Sequence, residues 1–165
     1  MLRLSKKSDY ALIAMKHLAT RPDGGGSSSA REISESYDIP LELLAKVLQR
    51  LVRARLLVSL QGTRGGYRLG RSAALISVAD VIQAVDGPVT VTACSEEDHN
   101  CDQFTKCSIR DPLWKIKNRI LESLQTVSVA EMAADMDAPA PAPAPTVSRM
   151  PSAPAAGVQI ALVAS

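Results

Sequence analysis

The stretch Gln61-Gly62-Thr63-Arg64-Gly65-Gly66 constrains this chain more than any other. It is flanked by two short apolar runs, 56–60 and 67–69, and follows directly on a basic helical pattern. Its glycines permit the positive φ that a tight turn requires, so the two runs read as strands of a small hairpin. A lone two-stranded hairpin is marginal in water, so this one must lean on the helices before it. With aromatics at only 3%, a large sandwich or barrel is excluded.

Those helices are readable from spacing. Ser8 is placed to cap a helix whose Ala11, Ala14, Met15 and Leu18 recur at i, i+3, i+4 and i+7. Pro22 and the run Gly24-Gly25-Gly26-Ser27-Ser28-Ser29 end it in a loop. A short helix over about 30–37 follows, then Asp38-Ile39, then Pro40 at the first position of another helix. That helix carries Leu41, Leu44, Leu48 and Leu51 on one side and runs to about 55. After the hairpin, Ser77 caps a fourth helix with Val78, Val81, Ile82 and Val85 inward, stopped by Gly87-Pro88. Pro112 opens a longer helix whose Leu113, Ile116, Ile120, Leu124 and Val127 form a seam for pairing helices. Trp114 and Met132 are expected in the core.

The expected fold is mainly α with a small β-hairpin wing. A winged helix-turn-helix DNA-binding region occupies 1–75, and a cysteine-bearing loop and dimerisation helix occupy 76–137. Residues 138–165 are expected to be a disordered Ala/Pro-rich tail, since prolines repeat without any apolar period. No stretch reads as an export signal or membrane span, because the apolar run 11–15 is cut by Lys16. A cytoplasmic protein is expected.

Charge separates along the chain. Residues 1–71 carry 13 basic and 6 acidic side chains, net +7, whereas residues 72–165 carry a net −5. Only the front half suits a polyanion. Short helix, tight turn, second helix and hairpin is the order in which one helix braces on the DNA backbone and the next enters the major groove. Glu42, Ala45, Lys46 and Gln49 are the candidates to face base edges, Arg50 and Arg53 to meet phosphates, and Arg64 to reach a minor groove or phosphate. No phosphate loop, paired carboxylates or nucleophile–base arrangement argues for an enzyme.

Cys94, Cys101 and Cys107 stand six and five residues apart in a polar segment. Soft thiolates suit zinc, copper(I) or an iron–sulfur cluster, and three unremarkable thiols are the plain alternative. The absence of a Cys-x-x-Cys pair weighs against structural zinc. His99 is a local candidate for a fourth ligand.

The opening Met1-Leu2-Arg3-Leu4-Ser5-Lys6-Lys7-Ser8-Asp9-Tyr10-Ala11 resembles the start of the Rrf2 family of winged-helix regulators. So do the hairpin through Tyr67-Arg68-Leu69 and the helix 76–85 followed by Asp86. The closing Trp114, Ile116, Ile120, Leu124 and 127–133 are similar to the branch regulating SUF iron–sulfur assembly genes, with IscR and the nitric-oxide sensor NsrR as relatives. The resemblance implies a homodimer on double-stranded promoter DNA, with Cys94, Cys101 and Cys107 as ligands of an iron–sulfur cluster. A [2Fe-2S] centre is expected, with [4Fe-4S] as the alternative. IscR-like members carry a histidine three residues after the last cysteine; Arg110 stands there and cannot ligate. An acidic residue at the position of Asp9 serves nitric-oxide-sensing members across subunits, which makes Asp9 the first candidate for the fourth ligand and His99 the second. Ala45 replaces a glutamate common in IscR-like reading helices. A nitric-oxide or redox-sensing repressor of detoxification genes and a zinc-stabilised protein-interaction adaptor are the rival readings.

Overall fold

The computed structural model describes residues 4–21, 26–62, 65–89 and 106–134. The first helix, α1 (Lys6–Ala19), is capped by Ser5 and not by Ser8. Ser5 accepts the Ser8 backbone N–H at 3.2 Å, so the helix begins one turn earlier than the sequence pattern suggests. That shift turns Ser8 inward, where it is fully buried. Ala11, Ala14, Met15 and Leu18 are buried as expected, and the small alanines let neighbouring helices approach α1 closely as the hub of the core.

Around this hub sit α2 (Ala30–Tyr37), α3 (Leu41–Arg53), α4 (Val78–Asp86) and α6 (Val129–Ala134). α3 buries Leu44, Val47, Leu48 and Leu51, and α2 adds Ile33. Leu41 is 40% exposed, because it lies in the first turn at the edge of that stripe and not within it. α4 buries Val78, Val81, Ile82 and Val85 and begins with a capping box in which Ser77 and Asp80 satisfy each other's backbone N–H.

The hairpin of β1 (Leu57–Leu60) and β2 (Gly66–Leu69) is antiparallel, pairing Leu57 with Leu69 and Ser59 with Tyr67. It is pinned at its outer edge. The Ser28 N–H donates to the Tyr67 carbonyl at 3.0 Å and the Tyr67 N–H donates back at 2.8 Å. A Cβ on Gly66 would lie 2.6 Å from the Ser28 carbonyl oxygen, so glycine is required for this approach. The wing is thereby fastened to the loop that leads into α2.

α5 (Arg110–Thr126) starts two residues before Pro112, which occupies its first turn, where no N–H is needed. None of its residues is buried, and it rests on α4. Trp114 is 40% exposed with the Lys117 ammonium 5.7 Å from its ring centroid, and Met132 is only half-buried. Neither joins the core: Trp114 projects from α5, which among the described residues packs chiefly on α4, and Met132 lies on α6, which buries Val129 alone. α6 is absent from the sequence expectation. Ser128 and Glu131 cap it reciprocally, and Val129 is fully buried. The backbone bonds Val78 to Val127 and Val129 to Ile76 stitch the α5–α6 junction to the start of α4. No described helix is long and apolar enough to cross a membrane.

Candidate nucleic-acid interface and cluster ligands

The turn between α2 and α3 is built by Asp38, whose φ of 51° lies in the left-handed region that a short polar side chain tolerates. Ser34 ties the turn down: its hydroxyl donates to the Ile39 carbonyl at 2.6 Å and its carbonyl accepts the Ile39 N–H at 3.1 Å. Ile39 is buried beneath, so the angle between the two helices is fixed by packing as well as by backbone.

At about 100° per residue, Glu42, Lys46, Gln49 and Arg53 fall on the arc of α3 opposite its buried leucines. All four are exposed, and Ala45 lies at their edge, half-buried. Four of the residues expected to face DNA therefore share one solvent-facing strip, bordered by the wing. An open cleft of about 280 Å3 runs between them, lined by Gln49, Val52, Arg53, Ser59 and Tyr67. Arg68 is exposed on the outer side of the hairpin. Arg64 lies outside the described residues.

Arg50 stands apart. It projects about 60–70° away from the middle of the strip, and its Nη1 donates to the Val85 carbonyl at the end of α4. The next residue, Asp86, accepts from the Ser8 hydroxyl at 2.7 Å. Partial desolvation pushes the Asp86 carboxyl up, but hydrogen bonds from Ser5 and Ser8 and the charges of Lys7 and Arg50 outweigh it and hold the group below the ordinary aspartate value. The last turn of α4 thus touches both α1 and the reading helix. It is also where the chain leaves for the cysteine-bearing segment.

Of the expected cluster ligands, Cys107 is a half-exposed free thiol three residues ahead of α5, and Asp9 is exposed on the first turn of α1. Cys94, Cys101 and His99 lie outside the described residues. Among the described residues, no three His, Cys, Asp or Glu side chains gather into a metal site. Arg110 pairs with Asp111 at 2.8 Å, consistent with a guanidinium that takes no part in ligation.

The seam residues Leu113, Ile120 and Leu124 are half-buried and Ile116 is 48% exposed. A shallow apolar groove of about 290 Å3 follows them, lined also by Arg119 and Ser123. Sequence reasoning passed over His17, and took Ser28 only as part of a loop and Asp86 only as part of the family resemblance. Only their long-range partners give them meaning, and no local spacing announces those.

A family profile described as Rrf2, an iron-dependent transcriptional regulator, matches residues 4–135. An HTH-type transcriptional regulator from Azotobacter vinelandii is 39% identical over 137 residues, 82% of each chain. The HTH-type transcriptional regulator IscR of Sodalis glossinidius is 36% identical over 135 residues, 81% of this chain and 80% of that one. Among solved structures, IscR of T. potens superposes with a TM-score of 0.64 at 28% identity, covering 81% of this chain and 88% of the other. CymR, the global cysteine regulator of B. subtilis, gives 0.66 at 28% identity, covering 83% of this chain and all of that chain.

Proposed function

This chain belongs to the Rrf2 family of transcriptional regulators, and we propose that it is an iron–sulfur-cluster-dependent repressor or modulator of iron–sulfur assembly (SUF) genes, acting in the cytoplasm as a homodimer. The observation that carries the DNA-reading half is the strip Glu42, Lys46, Gln49 and Arg53, exposed on α3 and bordered by a pinned wing. In this reading Lys46 and Gln49 meet base edges, Arg53 and the wing's Arg64 meet phosphates or the minor groove, and Glu42 and Ala45 set which bases are accepted. Paired heads would reach successive half-sites about one helical turn apart.

The donor set fits an iron–sulfur cluster. Cys94, Cys101 and Cys107 would hold it with soft thiolates, and Asp9 of the partner subunit, or His99, would complete it with a weaker bond. When bound, such a cluster, [2Fe-2S] or [4Fe-4S], supplies sensitivity to iron supply and oxidants. The chain's own residues provide the mechanical route. The cysteine-bearing segment is bounded by the end of α4 and the start of α5. Val85 at that end accepts from Arg50 of the reading helix, while Asp86 accepts from Ser8, next to Asp9. A change in the segment's anchorage therefore bears on both the angle of α3 and the seat of α1.

The exposed carboxylate of Asp9 favours a second reading, a nitric-oxide or redox-sensing repressor of detoxification genes, with the same three thiolates. A protein-binding zinc adaptor that never reads DNA does not sit with the family. The test is anaerobic purification followed by iron, zinc and acid-labile sulfide analysis. Iron with sulfide in every subunit, lost in Cys94→Ser, Cys101→Ser and Cys107→Ser, is expected; zinc alone, or a metal-free protein, would contradict cluster dependence.

A further inference from the structure

His17, on the last turn of α1, touches three parts of the DNA-binding head. Its Nδ1 lies 3.2 Å from the Tyr37 hydroxyl at the end of α2, and its Nε2 lies 3.1 Å from the Ser28 hydroxyl in the preceding loop. The rings of His17 and Tyr37 meet edge to face, centroids 5.6 Å apart. Ser28 is buried and is the residue whose backbone pairs with Tyr67 of the wing. Arg21 closes the cluster. Its Nε and Nη2 lie 3.1 and 2.7 Å from the Ser28 oxygen, and Nη2 also pairs with Glu32 of α2.

Proton counting favours one form of the imidazole. A serine oxygen offers two acceptor sites and one O–H. Arg21 donates two N–H bonds to that oxygen, since a guanidinium can only donate, which leaves the Ser28 O–H to donate elsewhere. The acceptor within its reach is Nε2 of His17. That count assigns Nε2 as the acceptor, and leaves Nδ1–H to donate to Tyr37. We propose that His17, as this neutral Nδ1–H tautomer, is a positioning residue for DNA reading: it locks α1, α2 and the wing into one geometry, so that α3 and the hairpin meet the duplex together. The proposal rests on the DNA-reading function and needs no cluster.

Protonation would undo the arrangement. A hydrogen on Nε2 would point at an oxygen whose acceptor sites are filled, and it would place a cation 3.4 Å from Arg21 Nη2. Among the described residues, the titratable groups facing the ring are Arg21 after α1 and Glu32 and Tyr37 on α2; the wing reaches the cluster through the Tyr67 backbone. Burial first, then the Arg21 charge, holds the imidazole below the ordinary histidine value, with Glu32 opposing. The neutral, binding-competent head is thus present above that value and is lost as pH falls through the lower folded one.

The test measures affinity of the full chain for a duplex selected by wild-type protein from a random-sequence pool, at about pH 7.5 and at a pH below the folded His17 transition, located by the imidazole's own titration. His17→Gln offers a carbonyl to Ser28 and an N–H to Tyr37 but does not titrate. It should bind like wild type at the higher pH and keep affinity that wild type loses at the lower. His17→Phe keeps the ring and forfeits both hydrogen bonds, and should bind about 10-fold more weakly at either pH. A long-range nitrogen–proton spectrum of the imidazole should show Nε2 unprotonated at neutral pH. Superimposable pH profiles for wild type and His17→Gln, or a proton on Nε2, would overturn the proposal even if His17→Phe failed to fold. A wild-type protein that selects no duplex would overturn the DNA-reading function together with it.

Discussion

The Ser8 hydroxyl donates to the Asp86 carboxylate at 2.7 Å across 78 residues of sequence, joining the first turn of α1 to the last residue of α4. Ser8 is fully buried and Asp86 largely exposed, so the bond has one dry end and one wet end. Ser8→Ala should cost about 1 kcal/mol, less than a fully buried charged bond. The Asp86 carboxyl is held below its ordinary value. Its contribution is therefore complete above the unfolded aspartate value, about pH 4, and disappears as pH falls through the lower folded value. Denaturant melts of wild type and Asp86→Asn should differ at neutral pH and converge in acid.

Arg53 and Arg50 should separate experimentally. Arg53→Ala should weaken binding to all duplexes and lower the salt slope by about 1. Arg50→Ala should leave that slope near the wild-type value, because its guanidinium is turned to the Val85 carbonyl. Lys46→Ala or Gln49→Ala should each lose about 1–3 kcal/mol at particular base pairs and relax discrimination there. Affinity against salt for specific and random duplexes decides among these outcomes.

Ile120→Asp should dissociate the proposed dimer. It places a carboxylate in the seam of Leu113, Ile116, Ile120 and Leu124, where burial against a partner helix leaves it unpaired. α5 has no buried residue within one chain, so the monomer should remain folded. Sedimentation reads the oligomeric state, and an unchanged dimer would place the interface elsewhere.

Much of the head was legible because it is local. The 3.6-residue spacing of Leu44, Leu48 and Leu51, the Ser77 cap and the glycine turn each act within a few residues, and the structure keeps all three. The errors arose where tertiary partners override local preference. Ser8 looks like a helix cap, yet it is claimed by Asp86 while Ser5 caps the helix. Trp114 looks like core by residue type, yet it projects from a helix that, among the described residues, packs chiefly on α4. α6 is too short to show a period, and it exists because Val129 fills the core beside α1. Arg50 is an exposed cation suited to phosphate by its charge, and its hydrogen bond to the Val85 carbonyl is a second role that spacing does not announce. The cysteine spacing suggested soft-metal chemistry, but ligation depends on geometry that spacing does not contain.

Asp9→Ala and His99→Ala should part company if the fourth ligand crosses subunits. A carboxylate is a harder, weaker partner for iron than a thiolate, so Asp9→Ala should assemble a cluster that decays faster or absorbs differently under the same oxygen exposure. His99→Ala should match wild type. A cluster altered only by His99→Ala would make the ligand local to the cysteine-bearing segment.

The most direct measurement titrates one selected promoter duplex, under anaerobic conditions and fixed salt, with holo protein and with the same protein stripped of iron and sulfide. Cluster-dependent regulation predicts a clear difference in affinity, at least about 10-fold, the scale of an ordinary allosteric coupling. It also predicts that the holo value returns on reconstitution. Equal affinity of the two forms for that duplex would contradict the account and leave a DNA-binding Rrf2 protein whose reading head takes no instruction from its cysteines.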